Sequence, residues 1–238
     1  LNVEAKFGGR YLPENNSYAK HTIAHNTLVV DETSHFDGDV NIGNEHHPDL
    51  LYFEMKDGLE ISAARVDTAY PGVEFVRTMA QIQHDKFEHP IILDLLTVAS
   101  KKAHQFDLPL HYKGHLIATN FDLGAATQGL LPLGKENGYQ HLWLKAAAQA
   151  ATPLSQITWL HDNGRFYSLS TRGQADMKIL FTQIGANDPN FNLRNENAFI
   201  LRIPSAKKAA FVSVFEPHGE YNPVTEMTSS ATSLVKAI

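Results

Sequence analysis

The pattern that most limits the fold of this chain is a succession of short runs rich in β-branched and aromatic residues, each closed by turn residues, along the whole length. The runs fall at residues 27–30, 50–56, 59–67, 73–83, 89–99, 106–112, 156–161, 165–171, 178–183, 198–204 and 209–215. No long amphipathic helical pattern accompanies them. Two of the turns carry their own mechanism: Asp57-Gly58 and Asn163-Gly164 each separate two runs, and glycine supplies the positive φ that a tight hairpin requires. The expectation is one all-β domain over residues 1–238, a large antiparallel β-sandwich whose two sheets differ in size.

Within it, Leu51, Phe53 and Met55 alternate with Tyr52, Glu54 and Lys56, which predicts one core face and one wetter face. The more continuously apolar stretch 89–98 predicts a strand buried on both faces. Residues 145–151, KAAAQAA, have strong helix propensity. The preceding Gln140-His141-Leu142-Trp143-Leu144 reads as a strand with His141 facing outward or toward a ligand, and the strand is expected to continue into the alanines.

With 238 residues and 43% hydrophobic content the chain can bury a sizeable core. A formal charge of −6 and no basic cluster larger than a pair argue against a nucleic-acid surface. The absence of cysteine removes disulfides and thiolate chemistry. No apolar run is long enough for a membrane span. Residue 1 is Leu, so a translation start upstream is expected.

Chemistry concentrates in GGRYLPENNSYAKHTIAHNTLVVDET, residues 8–33, which holds Tyr11, Tyr18, His21 and His25 among polar amides. A tyrosine has an ordinary pKa of about 10 and serves as a base only where positive charge stabilises the phenolate, as Arg10 could. His25 precedes a strand and could point into a site while its neighbours pack, but a metal would need further donors from elsewhere. Spacing alone does not rank these residues against one another.

The longer string AKFGGRYLPENNSYAKHTIAHNTLVVDETSHFDG resembles the heparinase II/III-like polysaccharide lyases, and within them the oligoalginate lyases of polysaccharide lyase family 17. HQFDLPLH at 104–111, the Thr158-Trp159-Leu160 strand and Phe215-Glu216-Pro217-His218-Gly219 agree with it, so the resemblance runs over nearly the whole chain. It implies a C-terminal β-sandwich that, with an N-terminal helical domain missing from this chain, cleaves 1,4-linked uronates of alginate oligosaccharides by β-elimination. It further implies Tyr11 as catalytic base with Arg10 beside it. His25 would be one ligand of a structural zinc whose two other ligands lie upstream of residue 1. Glu216 and His218 would lie near the cleft against the end of the substrate; an ordinary strand-to-turn element with a hydrogen-bonded histidine is the alternative. A periplasmic or secreted bacterial protein is expected, with a homodimer left open. Two other functions stay in view: a glycosaminoglycan lyase of the heparan type, and a non-catalytic carbohydrate-binding sandwich.

Overall fold

The computed structural model describes residues 12–127, 129–174 and 176–238. Its strands pair antiparallel throughout, in one continuous hydrogen-bonded network folded into two layers. The first layer runs from β2 (Asp49–Lys56) through β3 (Leu59–Tyr70) and β4 (Val73–Ile82) to the first half of β5 (Ile91–Tyr112). It continues with the second half of β13 (Asn197–Asn222), β11 (Arg165–Arg172), β10 (Leu154–Leu160) and β6 (His115–Thr119). The second layer contains β1 (Val29–Val30), the second half of β5, the first half of β13, β12 (Lys178–Ile184) and β9 (Leu142–Gln149). Short strands β7 (Gly124–Ala125) and β8 (Leu131–Pro132) pair with β9, and β14 (Met227–Ser229) pairs with the end of β13.

The two long strands make the corner. β5 and β13 pair from Phe215↔Ile92 to Lys208↔Ala99, lose register around Ala206, and resume from Ile203↔Phe106 to Asn197↔Tyr112. Irregularities of this kind let a strand bend from one sheet into the other. The sequence reading divides each of these strands into two, because Lys101-Lys102 and Lys207-Lys208 interrupt the apolar pattern with solvated residues.

Leu96, Val98 and Phe211 of the first layer meet Phe106, Leu108, Phe181, Phe199 and Leu201 of the second in one core between the sheets. The period of two along a strand then sends the intervening side chains outward. Ile200, between Phe199 and Leu201, and Leu180, between Ile179 and Phe181, belong to a second buried cluster on the outer face of the second layer. That face is apolar because the N-terminal loop covers it.

Both predicted hairpins form, with Gly58 at φ 75° and Gly164 at φ 83°. The alanine run extends as β9, since its pairing with β12 supplies hydrogen bonds that outweigh local helix propensity. Two burial expectations are corrected. All eight residues of β2 are exposed, including Leu51, Phe53 and Met55, because β2 is the edge of the first layer and no second layer reaches it. Residues 91–95 are half-buried instead of buried on both faces, and burial becomes complete only at Leu96 and Val98. Among the described residues no helix is long and apolar enough to cross a membrane.

Candidate active-site loop

Residues 12–27 form a loop on the outer face of the second layer and lead into β1. A π-helical turn, Asn15–Ala19, and a 3-10 turn, Thr22–Ala24, put Tyr18, Ala19, Ile23 and Ala24 into the outer cluster with Val29, Tyr139, Leu142, Leu180 and Ile200. Ile23 packs so closely over Gly138 that a Cβ there would lie 2.5 Å from its Cγ2. Gly138 also has φ 88°, so both backbone shape and space require glycine at that position.

Polar contacts pin the loop at both ends. Buried Glu14 accepts from the Asn192 side chain at 3.2 Å. Ser17 Oγ lies 2.9 Å from His141 Nε2, and His141 Nδ1–H donates to the Ala186 carbonyl at 2.9 Å. His141 is therefore a buried strut, contrary to the outward or ligand-facing position expected from sequence. Downstream, the Asn26 side chain accepts from the His111 N–H at 3.0 Å, and its carbonyl accepts from Arg77. Arg77 is itself held by two hydrogen bonds to Asp94, at 2.8 and 2.6 Å. The Tyr70 hydroxyl donates to the Thr33 carbonyl at 2.9 Å.

Below residues 31–34 lies a charge network that sequence reasoning missed. Buried Asp107 receives Arg202 Nε at 2.8 Å, Arg202 Nη2 at 2.6 Å and the Tyr139 hydroxyl at 2.7 Å. Arg202 Nη2 also donates to Glu32 at 2.8 Å. Burial raises the Asp107 carboxyl pKa against the opposing pull of Arg202 and Tyr139. The available signal was an aspartate inside the apolar run 106–110, opposite an arginine inside the run 198–204.

The histidines differ in role. His25 lines a shallow concavity of about 300 Å³ with Lys20, Thr27, His35 and Asp39, and its Nε2–H donates to the Ala19 carbonyl at 3.0 Å. A backbone carbonyl on one ring nitrogen is the usual means of orienting a metal-binding imidazole. Among the described residues no three His, Asp or Glu converge as a metal site. His35 Nε2–H donates to the Leu28 carbonyl at 2.9 Å, and its pKa is lowered first by burial and then by nearby His25. His21 Nδ1 meets Ser34 Oγ at 2.8 Å, and burial followed by the proximity of His141 lowers its pKa. Tyr18 is fully buried, its pKa is driven up by burial, and its hydroxyl has no hydrogen-bond partner among the described residues.

Tyr11 and Arg10 lie outside the described residues; the first described residue is their neighbour Leu12, whose carbonyl accepts from the Asn15 N–H at 3.0 Å. Glu216 and His218 do not join His25. The Glu216 carboxylate is 1% exposed and accepts from Ser233 Oγ at 2.5 Å and from the Leu234 N–H at 3.0 Å. His218 donates from Nδ1 to the Ser230 carbonyl at 2.8 Å and accepts at Nε2 from Ser168, which in turn meets Thr158 at 2.7 Å. Both side chains fasten the C-terminal segment to the first layer.

The model of the family described as heparinase II/III-like, C-terminal, matches residues 4–230. An exo-oligoalginate lyase of Saccharophagus degradans is 47% identical over 241 residues, covering all of this chain and 33% of that protein. An alginate lyase of Stenotrophomonas maltophilia is 46% identical over 238 residues, covering all of this chain and 32% of that protein. The chain thus spans about a third of the length of the curated relatives it matches. Among solved structures, a heparan sulfate lyase HepC from Pedobacter heparinus superposes with a TM-score of 0.55 at 11% identity, over 87% of this chain and 27% of the other. A heparinase III superposes with a TM-score of 0.55 at 9% identity, over 84% of this chain and 25% of the other. At such identities the likeness is one of fold.

Proposed function

This chain belongs to the heparinase II/III-like C-terminal family, and from that premise we propose that it is the β-sandwich part of an oligoalginate lyase, supplying one wall of the active cleft. The observation that carries the reading is 47% identity to an exo-oligoalginate lyase along the entire chain. The same observation favours alginate over heparan, because the heparin-type structures share the fold at only 9 to 12% identity.

Cleavage of a 1,4-linked uronate by β-elimination removes the C5 proton, holds the charge that spreads into the carboxylate, and protonates the departing O4. Tyr11 is the proposed base, with Arg10 favouring its phenolate and contacting substrate. The loop immediately C-terminal to Tyr11 supports this role. Buried Tyr18 and Ile23, the Ser17–His141 contact and the grip of Arg77 and His111 on Asn26 leave the segment little freedom. The neutralisation of the carboxylate is assigned to the helical domain expected upstream.

His25 is the residue of this chain proposed to hold a zinc ion, with two further ligands from upstream. The ion would be structural, tying the loop to the preceding domain, since proton abstraction at C5 needs no metal-activated water. Periplasmic or secreted placement is proposed with it, as suits a protein acting on a polysaccharide. Digestion of alginate, heparan and hyaluronan in parallel by the full-length protein, read as ultraviolet absorbance of the unsaturated uronate, tests the reading. Alginate cleavage is expected; cleavage of heparan without alginate would refute it.

A further inference from the structure

We infer that Phe191 and Arg194, presented by one rigid turn that is tied to the N-terminal loop, bind a uronate residue of the substrate, the ring stacking on the sugar face and the guanidinium meeting its carboxylate. The inference rests on the lyase reading and adds to it two residues that hold the sugar. Phe191 is 83% exposed, and an apolar ring of that size kept in water is unfavourable. Its backbone is unfavourable as well, with φ 55° in the left-handed region that a bulky residue rarely occupies. Features of this kind persist only where the surroundings enforce them, and they collect at ligand sites.

The enforcing groups lie on both sides of the ring. Asp188, itself buried, accepts from the Asn192 N–H at 3.1 Å and from the Leu193 N–H at 2.7 Å, while its carbonyl accepts from the Phe191 N–H at 3.2 Å. Leu193 is buried in the outer cluster with Tyr18 and Ile23, and the Asn187 side chain donates to the Gln140 carbonyl at 2.8 Å. The turn cannot rotate to bury the ring without giving up these contacts. The exposure of Phe191 is therefore set by the backbone that displays it.

Position and charge say what covers the ring. The Asn192 side chain donates at 3.2 Å to Glu14, three residues along the chain from Tyr11, so the turn is fastened to the loop that carries the proposed base. Arg194 follows Phe191 by three residues, a separation of at most about 11 Å along the backbone, within the span of a short oligosaccharide. Its side chain is 54% exposed, and the one ion pair it makes among the described residues, with Glu196, is 3.9 Å long, beyond hydrogen-bond length. Arg194 lines an open polar basin of about 530 Å³, where Lys113 and Lys145 join it against the carboxylates of Asp162 and Glu196. A guanidinium offers a carboxylate two parallel N–H donors, and an aromatic face suits the C–H face of a sugar ring. A neutral sugar would leave the cation unused, and a small anion would leave the ring unused; a uronate uses both.

The test is the steady-state kinetics of the full-length protein on saturated alginate trisaccharide, with Phe191→Ala, Phe191→Trp and Arg194→Gln, together with calorimetric binding of the same trisaccharide to each variant in a Tyr11→Phe background. Phe191→Ala should raise KM and weaken binding by about tenfold or more, as expected on removing a ring that becomes buried on binding, with kcat changed far less. Phe191→Trp should restore both, because it keeps a ring face, and Arg194→Gln should weaken binding by a similar factor. The unfolding midpoint of Phe191→Ala should match that of the unsubstituted protein, since an exposed ring has no packing to lose. Unchanged KM and binding in Phe191→Ala would overturn the inference. So would a lowered midpoint in Phe191→Ala with trisaccharide binding intact, which would assign the ring to packing against the upstream part of the protein. Failure of the lyase reading would appear separately, as absent turnover of alginate by the unsubstituted protein; the calorimetric binding would then decide for or against Phe191 by the same criterion.

Discussion

Arg202 grips Asp107 with two hydrogen bonds, at 2.8 and 2.6 Å, across the paired strands β13 and β5 at the base of the N-terminal loop. Asp107 is 1% exposed, and the Tyr139 hydroxyl and Glu32 complete the network. Asp107→Ala leaves a buried guanidinium without its main partner, a change that costs about 3–5 kcal/mol. Urea unfolding of the variant checks it; a loss below about 1 kcal/mol, as for an exposed pair, would contradict the assignment.

Phe199 and Ile200 are neighbours on one strand but face different cores. Ile200→Ala is expected to cost about 2–5 kcal/mol and to loosen residues 12–30, which rest on the outer cluster. Hydrogen exchange should show faster exchange in that loop for Ile200→Ala than for Phe199→Ala. Equal effects of the two substitutions on the loop would contradict the two-core description.

His21 has a lowered pKa, chiefly through burial, so its neutral form is favoured in the folded state. For a histidine whose folded pKa lies below the unfolded value, the contribution to stability is present above about pH 6.5 and is lost as pH falls through the folded pKa. Stability should therefore decline on acidification below that value. His21→Asn should flatten this part of the stability profile measured by thermal unfolding across pH, and an unchanged slope would contradict the assignment.

Glu216 accepts from Ser233 and Leu234, so Glu216→Ala should release the C-terminal segment. A loss of about 1.5–3 kcal/mol is expected for hydrogen bonds to a charged group, with faster proteolysis after Met227. The KM for alginate trisaccharide should hold. A raised KM with normal stability would restore Glu216 to the substrate.

Much of the fold was legible because its signals are local. Asp57-Gly58 and Asn163-Gly164 dictate their hairpins, and the alternation through 50–56 identifies a strand. Alternation did not reveal whether a second layer would cover Leu51 and Phe53; that depends on β2 ending at the sheet edge. Nor could local pattern show that residues 91–112 and 197–222 run on as bent strands, because the bend around Ala206 exists only in their mutual register. Around the candidate site, the density of Tyr, His and Asn is what singles the loop out in sequence. Spacing could not separate Tyr18, sealed in a core, from His25, on a concavity, since partners such as Leu180 and Ile200 lie more than 150 residues away. Glu216 and His218 were placed at the cleft by resemblance, and the buried hydroxyls and backbone groups that claim them are visible only in three dimensions.

The most direct test of the lyase account is the turnover of saturated alginate trisaccharide by the full-length protein and its Tyr11→Phe variant, monitored by ultraviolet absorbance of the unsaturated uronate. The account predicts rapid product formation by the unsubstituted protein and none above background by a variant with the same circular dichroism spectrum and unfolding midpoint. Comparable turnover by the folded variant would remove Tyr11 from the mechanism and contradict the account.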